Sequence, residues 1–433
     1  MDEKKERSIS RVLEEIAIYE SIEEGLSLIQ DDMRPIHLYL VKTILKNLNK
    51  TVECVEKNLP IIGSHFTNPS EVLTTMDLHW FFIYQSAWGG GMENPHLMED
   101  LEKVDKMPVP SDCCTLLRMG LYYLDEGFFP KPTAYVGITE PCDGIAAVHE
   151  AITNHKAWRD VPSFAPEPIH YDFDENQSLQ YYAEEFKRLV EFLETHTNKK
   201  LDMDLLRQTV EESNKHYTLW QEYNTLRRSV PTPHDPILPQ SCFYLTNFPG
   251  AGTREHAQWF ENLIADAEKR IKENRPILAN QKFRVLWYDI PSVFFAELAS
   301  WMEQELGGVV VLDMVSHCPY TLIDTSSEKT IFEGLAKRSL MDQPMIHQAR
   351  GKVENFLTDI SQLVRDFHID CVIWPGHMGH KDSAASINLM REKCRELEVP
   401  FLSIGLDHVD KRYTTVDEIK DKISQFVDAM GLA

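Results

Sequence analysis

Closely spaced cysteine pairs and long apolar runs are both missing from this sequence of 433 residues. None of its eight cysteines forms a Cys-x-x-Cys pair, so zinc ribbons, thioredoxin-type redox sites and ferredoxin-type cluster loops lack their usual signature. No apolar run reaches the roughly 18 residues that a membrane-spanning helix needs. The charged segment Met1–Arg7 is not followed by the apolar region of a signal peptide. We therefore expect a cytoplasmic protein whose cysteines are free thiols or metal ligands.

Positive charge is also scarce, with 44 Lys and Arg residues against 68 Asp and Glu residues and a formal net charge of -24. A field of that sign opposes nucleic-acid backbones and anionic membranes, so we expect neither as a partner. An anionic ligand would need a local basic patch. A Gly-x-Ser-x-Gly elbow is absent as well, which disfavours an α/β hydrolase.

Short apolar runs alternate with helical segments through most of the chain, after a helical stretch at about 8–60. The predicted strands lie at 60–64, 133–139, 169–173, 283–290, 308–315, 371–374 and 401–406. The predicted helices between them lie at about 177–228, 293–305, 329–367 and 384–397. Continuous apolar runs are typical of strands that are buried on both faces of a parallel sheet.

This alternation predicts an α/β fold with two doubly wound parallel-sheet domains behind a helical N-terminal segment. The boundaries we expect are a helical segment at 1–58, a first α/β domain at 59–235 and a second at 236–433. Sites in such sheets form just beyond the carboxyl ends of the strands. The side chains placed there by the sequence are Ser64, His65, Cys142, His317, Cys318, His377, His380 and Asp407.

Cys114 is a candidate of a different kind, because Pro110-Ser111-Asp112 is a plausible helix start and places Cys113 and Cys114 in the first turn. The dipole and the unpaired N–H groups there favour a thiolate, which suits a metal ligand or a reactive thiol. We expect Cys113 to pack inward as a core residue. Pairing Cys114 with Cys142 requires two strand–helix units to converge, which the residue pattern permits but does not require.

Five motifs in order resemble those of the 2-hydroxyacyl-CoA dehydratase / benzoyl-CoA reductase family and together span about residues 58–430. The five are Pro69-Ser-Glu71-Val with Met76-Asp-Leu78, Ser111-Asp-Cys-Cys114-Thr-Leu-Leu-Arg118, Pro132–Asp143 ending Glu-Pro-Cys142-Asp, Lys282–Pro291, and Pro400–Asp407 with Asp410-x-Arg412-Tyr. Each motif is short, and their order makes them specific.

The resemblance implies Rossmann-like lobes and a [4Fe-4S] cluster that three cysteines hold in each subunit of a heterodimer. It also implies a second homologous subunit, an ATP-dependent iron–sulfur activator that delivers one electron, and an acyl-CoA substrate. Dehydratase members of the family form a ketyl radical from the thioester, and reductase members reduce an aromatic ring. Carried over residue by residue, the first two cluster ligands fall on Cys114 and Cys142.

The third ligand departs from the family pattern, since the loop after Cys371–Trp374 contains His380 and no cysteine. We expect His380 to replace the thiolate, because imidazole ligation of iron–sulfur clusters occurs and raises their potential. His377 is its competitor. The other interpretations are that Cys318 or Cys371 supplies the ligand, or that the cluster is altered or absent.

The substrate side departs as well. Catalytic dehydratase subunits carry a hydroxyl side chain just before the Pro-x-Glu segment and a carboxylate some fifteen residues later. Ser64 or Thr67 supplies the hydroxyl here, but the carboxylate position reads Ile83-Tyr84-Gln85. Tyr84 can donate a proton, although a phenol is a poor base at neutral pH. The subunit is therefore expected to act on an acyl-CoA itself or to relay electrons to a catalytic partner.

Overall fold

Two four-stranded parallel sheets organise the chain, which confirms the α/β fold that the strand–helix alternation predicts. The computed structural model describes residues 3–83, 94–169, 175–317, 320–350, 352–377 and 379–432. The first sheet contains β1 Ile61–Ser64, β2 His79–Phe82, β3 Ala134–Val136 and β4 Ser163–Phe164. The second contains β5 Phe283–Trp287, β6 Gly308–Asp313, β7 Cys371–Gly376 and β8 Phe401–Gly405.

Each sheet has one point at which the strand order reverses. The order is β2-β1-β3-β4 in the first sheet and β6-β5-β7-β8 in the second. In the first sheet β2 lies on one side of β1 and β3 lies on the other. In the second sheet β6 and β7 lie on the two sides of β5 in the same way. A crevice opens at the carboxyl ends of the strands at such a switch point. The candidate residues His65, Cys142, His377 and His380 follow these strands.

Helices cover both sheets and form the N-terminal segment. Glu3–Leu28 and Arg34–Lys57 pack as an N-terminal hairpin around a small apolar cluster of their own. The remaining described helices are Ser70–Thr75, Leu97–Val104, Thr115–Glu126, Asp143–Thr153, Glu175–Thr197, Met203–Leu226, Ile237–Asn247, Arg254–Lys272, Phe295–Trp301, Glu328–Lys337, Ile346–Arg350, Lys352–Asp366, Lys381–Glu396 and Val416–Met430. The π-helical turn Met302–Leu306 directly follows Phe295–Trp301, and the π-helical turn Arg338–Asp342 directly follows Glu328–Lys337. No described helix is long and apolar enough to cross a membrane.

The second sheet matches the predicted strands closely because β5, β6 and β7 are buried along their whole length. The edge strands β2 and β4 were not predicted, since four and two residues give little periodic signal. The predicted strand at 169–173 falls largely outside the described residues. The single predicted helix at 329–367 is interrupted at Gln343, whose extended backbone precedes Pro344. One continuous apolar core joins both sheets, and the division of the chain into three segments stays a prediction.

Candidate metal centre

Three helices begin at the candidate ligands. Cys114, Cys142 and His380 are the N-cap residues of Thr115–Glu126, Asp143–Thr153 and Lys381–Glu396, which we call the three site helices. None of the three side chains forms a capping hydrogen bond to its own helix. The positive ends of three helix dipoles thus meet near two thiols, an arrangement that favours thiolates and bound anionic groups.

These N-caps line one pocket between the two sheets, which we call the interlobe pocket. Its empty space amounts to about 940 Å³, a volume that includes open solvent. Its apolar wall includes Phe66, Phe82, Leu116, Ile145, Ile290 and Phe356. Its polar lining includes Cys114, Cys142 and His380 together with His65 and Asp289. The two switch points therefore face each other across one mostly apolar cavity.

The two lobes come into close contact at Gly379, in the loop after β7. A Cβ atom on Gly379 would lie 2.7 Å from the backbone nitrogen of Cys114 and 2.8 Å from the His377 ring. Because of this approach, one ligand atom each of Cys114, His377 and His380 lies within 4.8 Å of the other two. The convergence of the Cys114 segment with the β7 loop thus depends on a residue without a side chain.

His377 already uses both ring nitrogens. Its Nδ1 accepts the N–H of Gly379 at 2.8 Å, so its Nε2–H donates to Oδ2 of Asp407 at 2.7 Å. Asp407 also accepts the hydroxyl of Thr115 at 2.6 Å, which ties the Cys114 helix to the end of β8. Although burial opposes it, the bonds from His377 and Thr115 hold the pKa of Asp407 well below its usual range. His377 is therefore a positioning residue with no lone pair left for a metal.

His380 has one ring nitrogen available toward the thiols. Its Nδ1 bonds Oδ1 of Asp289 at 3.1 Å, and the ring also interacts with Cys114. Burial alone would lower the pKa of His380, but the negative charge and hydrogen bond of Asp289 outweigh it and raise that pKa well above its ordinary value. A carboxylate behind a histidine is the usual support for an imidazole metal ligand.

Cys142 lines the interlobe pocket close to Cys113. The Sγ atoms of Cys142 and Cys113 each lie 3.7 Å from the position of a Cβ on Gly144. Cys113 is partly buried and packs against the core, and burial raises the pKa of its thiol to about 11. Lys381 interacts with Asp143 at 3.3 Å and with Asp112 at 3.6 Å, so one cation links the starts of all three site helices.

The predicted substrate residues have different positions. Ser64 is buried at the end of β1, where its hydroxyl accepts the amide of Asn68, and Thr67 bonds Nδ1 of His65 at 2.9 Å. His65 itself lines the interlobe pocket, and burial lowers its pKa to about 3. Tyr84 lies outside the described residues. Of the side chains after β1, the pocket wall therefore contains His65 and Phe66.

The alternative third ligands differ in position as well. Cys371 is fully buried at the start of β7, where burial raises its pKa. The loop with His380 follows the other end of that strand, roughly 17 Å away at the usual rise per residue. Cys371 is therefore too far from the pocket to serve. Cys318 lies outside the described residues.

Sequence reasoning missed two residues of this region, Asp289 and His408. Asp289 follows β5, and His408 follows β8 beside Asp407, so the strand-end rule that selected His380 and Asp407 applies equally to both. Burial lowers the pKa of His408 to about 3, so its ring is neutral at pH 7. Asp289 was not selected because the predicted strand at 283–290 includes it, so it did not count as a strand-end residue.

Taken together, two parallel α/β sheets and a thiol–imidazole centre between them define a two-lobed protein with a candidate metal site at the switch points. The family described as 2-hydroxyglutaryl-CoA dehydratase, D-component, matches residues 66–430. The chain therefore belongs to this family, which confirms the resemblance drawn from its five motifs. A search of curated proteins found no match.

Proposed function

We propose that the chain is the iron–sulfur subunit of a 2-hydroxyacyl-CoA dehydratase-like or benzoyl-CoA reductase-like enzyme. Its [4Fe-4S] cluster is bound by Cys114, Cys142 and His380. The observation that carries the proposal is that these three side chains, from three helix N-caps and both lobes, line one pocket. Two thiols and an imidazole are donors that iron–sulfur clusters accept.

The choice of His380 over His377 rests on hydrogen bonding. Both nitrogens of His377 are engaged, by Asp407 and by the N–H of Gly379, whereas His380 keeps one nitrogen toward Cys114. Asp289 then orients the ligand from behind. Replacing a thiolate by a neutral imidazole makes the cluster less negative, and we expect its potential to be higher than with three cysteines.

When bound, the cluster supplies single electrons for ketyl-radical chemistry on an acyl-CoA thioester. The chain's own residues provide the surroundings. Phe66, Phe82 and Phe356 form part of a wall that excludes water, and exclusion of water protects reactive intermediates from side reactions. The three helix dipoles stabilise the negative charge of the thiolates. The neutral imidazole of His65 lines the same pocket.

We also propose the two protein partners that membership of this family implies. A second homologous subunit completes a heterodimer, and a separate ATP-dependent activator delivers the electron in the cytoplasm. The acidic net charge of -24 favours an activator whose docking face is basic.

A second candidate function is electron relay to a catalytic partner subunit. It is favoured by the substrate-side residues, since the hydroxyls of Ser64 and Thr67 are engaged by Asn68 and His65. The position expected to hold a carboxylate reads Tyr84 in the sequence. Binding of an acyl-CoA to the isolated subunit separates the two functions, because a relay subunit does not need to bind the thioester.

Iron and sulfide analysis after anaerobic purification tests the proposal. We expect about four iron atoms per chain, as for a [4Fe-4S] cluster. Cys142→Ala should abolish the cluster, and His380→Ala should lower iron content or shift the reduction potential. Cys394→Ala is the matched control, because Cys394 is buried within the helix that begins after His380 and does not line the pocket.

An iron-free chain after anaerobic handling would contradict both candidate functions. A cluster of unchanged content and potential in His380→Ala would show that the third ligand is another residue. The electron-relay function would be favoured if the intact cluster protein bound no acyl-CoA.

A further inference from the structure

Beside the thiols, the ends of three neighbouring strands bring a second group of donors together. Asp289 follows β5, His380 follows β7 and His408 follows β8, and one ligand atom of each lies within 4.8 Å of the other two. Within this group, His380 is the one member that also belongs to the proposed cluster site. The group contains no sulfur, so its chemistry differs from that of the cysteine site.

The donors in this group are buried and incompletely satisfied. Asp289 and His408 are each 1% exposed. Among the described residues, Oδ2 of Asp289 and both ring nitrogens of His408 have no hydrogen-bond partner. Buried polar atoms are nearly always bonded to protein, water or an ion, and leaving several unbonded at one point has a high desolvation cost. A carboxylate oxygen of Asp289 and the ring of His408 are thus buried and unsatisfied in a group whose donor atoms lie within 4.8 Å of one another, which indicates a ligand between them.

The neighbouring histidine does not supply that partner. His377 stacks on the ring of His408, with ring centroids 5.2 Å apart and planes inclined by 26°. Its nitrogens bond Asp407 and Gly379 instead. His377 thus holds the ring of His408 in place without satisfying it.

We propose that Asp289, His380 and His408 form a site for a single divalent first-row transition-metal ion such as Zn²⁺ or Fe²⁺. Two imidazoles and one carboxylate are the donors that hold these ions with open coordination positions. Magnesium and calcium prefer sites made of oxygen alone. The ion replaces the proton between His380 and Asp289, as metal binding to histidine generally releases protons.

Asp289 and His380 also line the interlobe pocket, so a small ligand in the pocket can reach an ion that they hold. The ion would then act as a Lewis acid toward an oxygen-bearing ligand. This site goes beyond the proposed iron–sulfur function and does not depend on the thiols.

Titration with Co²⁺ tests the site, since its visible bands report coordination and a thiolate ligand adds a charge-transfer band in the near ultraviolet. The full chain is used with Cys114→Ser and Cys142→Ser, which removes the two proposed thiolate ligands and with them any cluster. We expect one Co²⁺ per chain with bands of nitrogen and oxygen ligation, displaced by Zn²⁺. His408→Gln in this background should weaken binding by about 100-fold or more, above the roughly 10–100-fold typical of second-shell changes.

His149→Gln is the matched control. His149 is also a buried histidine with an unsatisfied Nδ1, but it does not belong to the group of Asp289, His380 and His408. It should leave the affinity for Co²⁺ unchanged. Asp289→Asn provides a second variant of nearly the same shape and should also lose affinity. Far-ultraviolet circular dichroism checks that each variant is folded.

The proposal is overturned if the chain with both serine substitutions binds no stoichiometric Co²⁺, or if His408→Gln and Asp289→Asn both bind it as tightly as their parent. Failure here is distinct from failure of the iron–sulfur proposal. Loss of iron and sulfide in Cys142→Ala tests only the cluster, and His408→Gln tests only the divalent site.

Discussion

Gly379 shows how a single residue can control the site. The loop after β7 approaches Cys114 so closely that a methyl group on Gly379 would overlap both the Cys114 backbone and the His377 ring. Neither neighbour can move aside easily. One is the backbone of Cys114, and the other is the His377 ring, which is hydrogen-bonded at both nitrogens. Cys114 and His380 can therefore lie close together because the residue at 379 is a glycine, which has no side chain.

Gly379→Ala should separate the two lobes locally. We expect a loss of about 1–3 kcal/mol in the free energy of unfolding, as for other overpacked positions, together with a lower iron content. Urea unfolding and iron analysis measure the two effects. Gly405→Ala is the control, because a Cβ there has open space around it at the end of β8. Equal iron content and stability in both variants would show that the loop adapts.

At the scale of elements, a buried ion pair connects segments that are distant in sequence. Glu71, just after β1, bonds Arg338 of a π-helical turn at 2.8 Å and the hydroxyl of Ser213 at 2.6 Å. The guanidinium group also lies over the ring of Tyr217, 4.2 Å from its centroid. Both charged side chains are nearly inaccessible to solvent, so neither can be hydrated if its partner is removed.

Glu71→Gln should therefore be strongly destabilising, by about 3–5 kcal/mol, since it leaves the charge of Arg338 buried without a counterion. The free energy of unfolding in urea is the measurement. Asp204→Asn removes an exposed ion pair with Arg207 and should cost about 1 kcal/mol or less. If the two substitutions cost the same, the buried pair contributes no more than a surface pair.

At the scale of the whole molecule, several buried histidines make stability depend on pH. Burial lowers the pKa of His216 to about 3 and the pKa values of His79 and His256 to about 4. In the unfolded chain these groups take up a proton near pH 6.5. Between pH 6.5 and about 4 the unfolded state therefore binds more protons, and each group's contribution to stability falls as the pH falls.

His256 isolates this effect, since it is buried and donates Nδ1–H to the carbonyl of Leu245. In His256→Gln we expect the free energy of unfolding to depend less on pH between 6.5 and 4, by up to about 1.4 kcal/mol per pH unit. Urea unfolding at several pH values provides the slopes. An unchanged slope in His256→Gln would contradict a neutral buried imidazole.

The fold class and the region of the candidate site could be predicted from the sequence. Continuous apolar runs such as those of β5 and β6 are typical of strands buried in a parallel sheet, and strand-end positions predicted where Cys142 and His380 would lie. The tertiary structure alone decided which donors meet. His377 and His380 are three residues apart in one loop, and only the contacts with Asp407, Gly379 and Asp289 distinguish the positioning residue from the candidate ligand. The bonds to Asp407 and Asp289 join residues that follow separate strands, so no local pattern in the sequence encodes them.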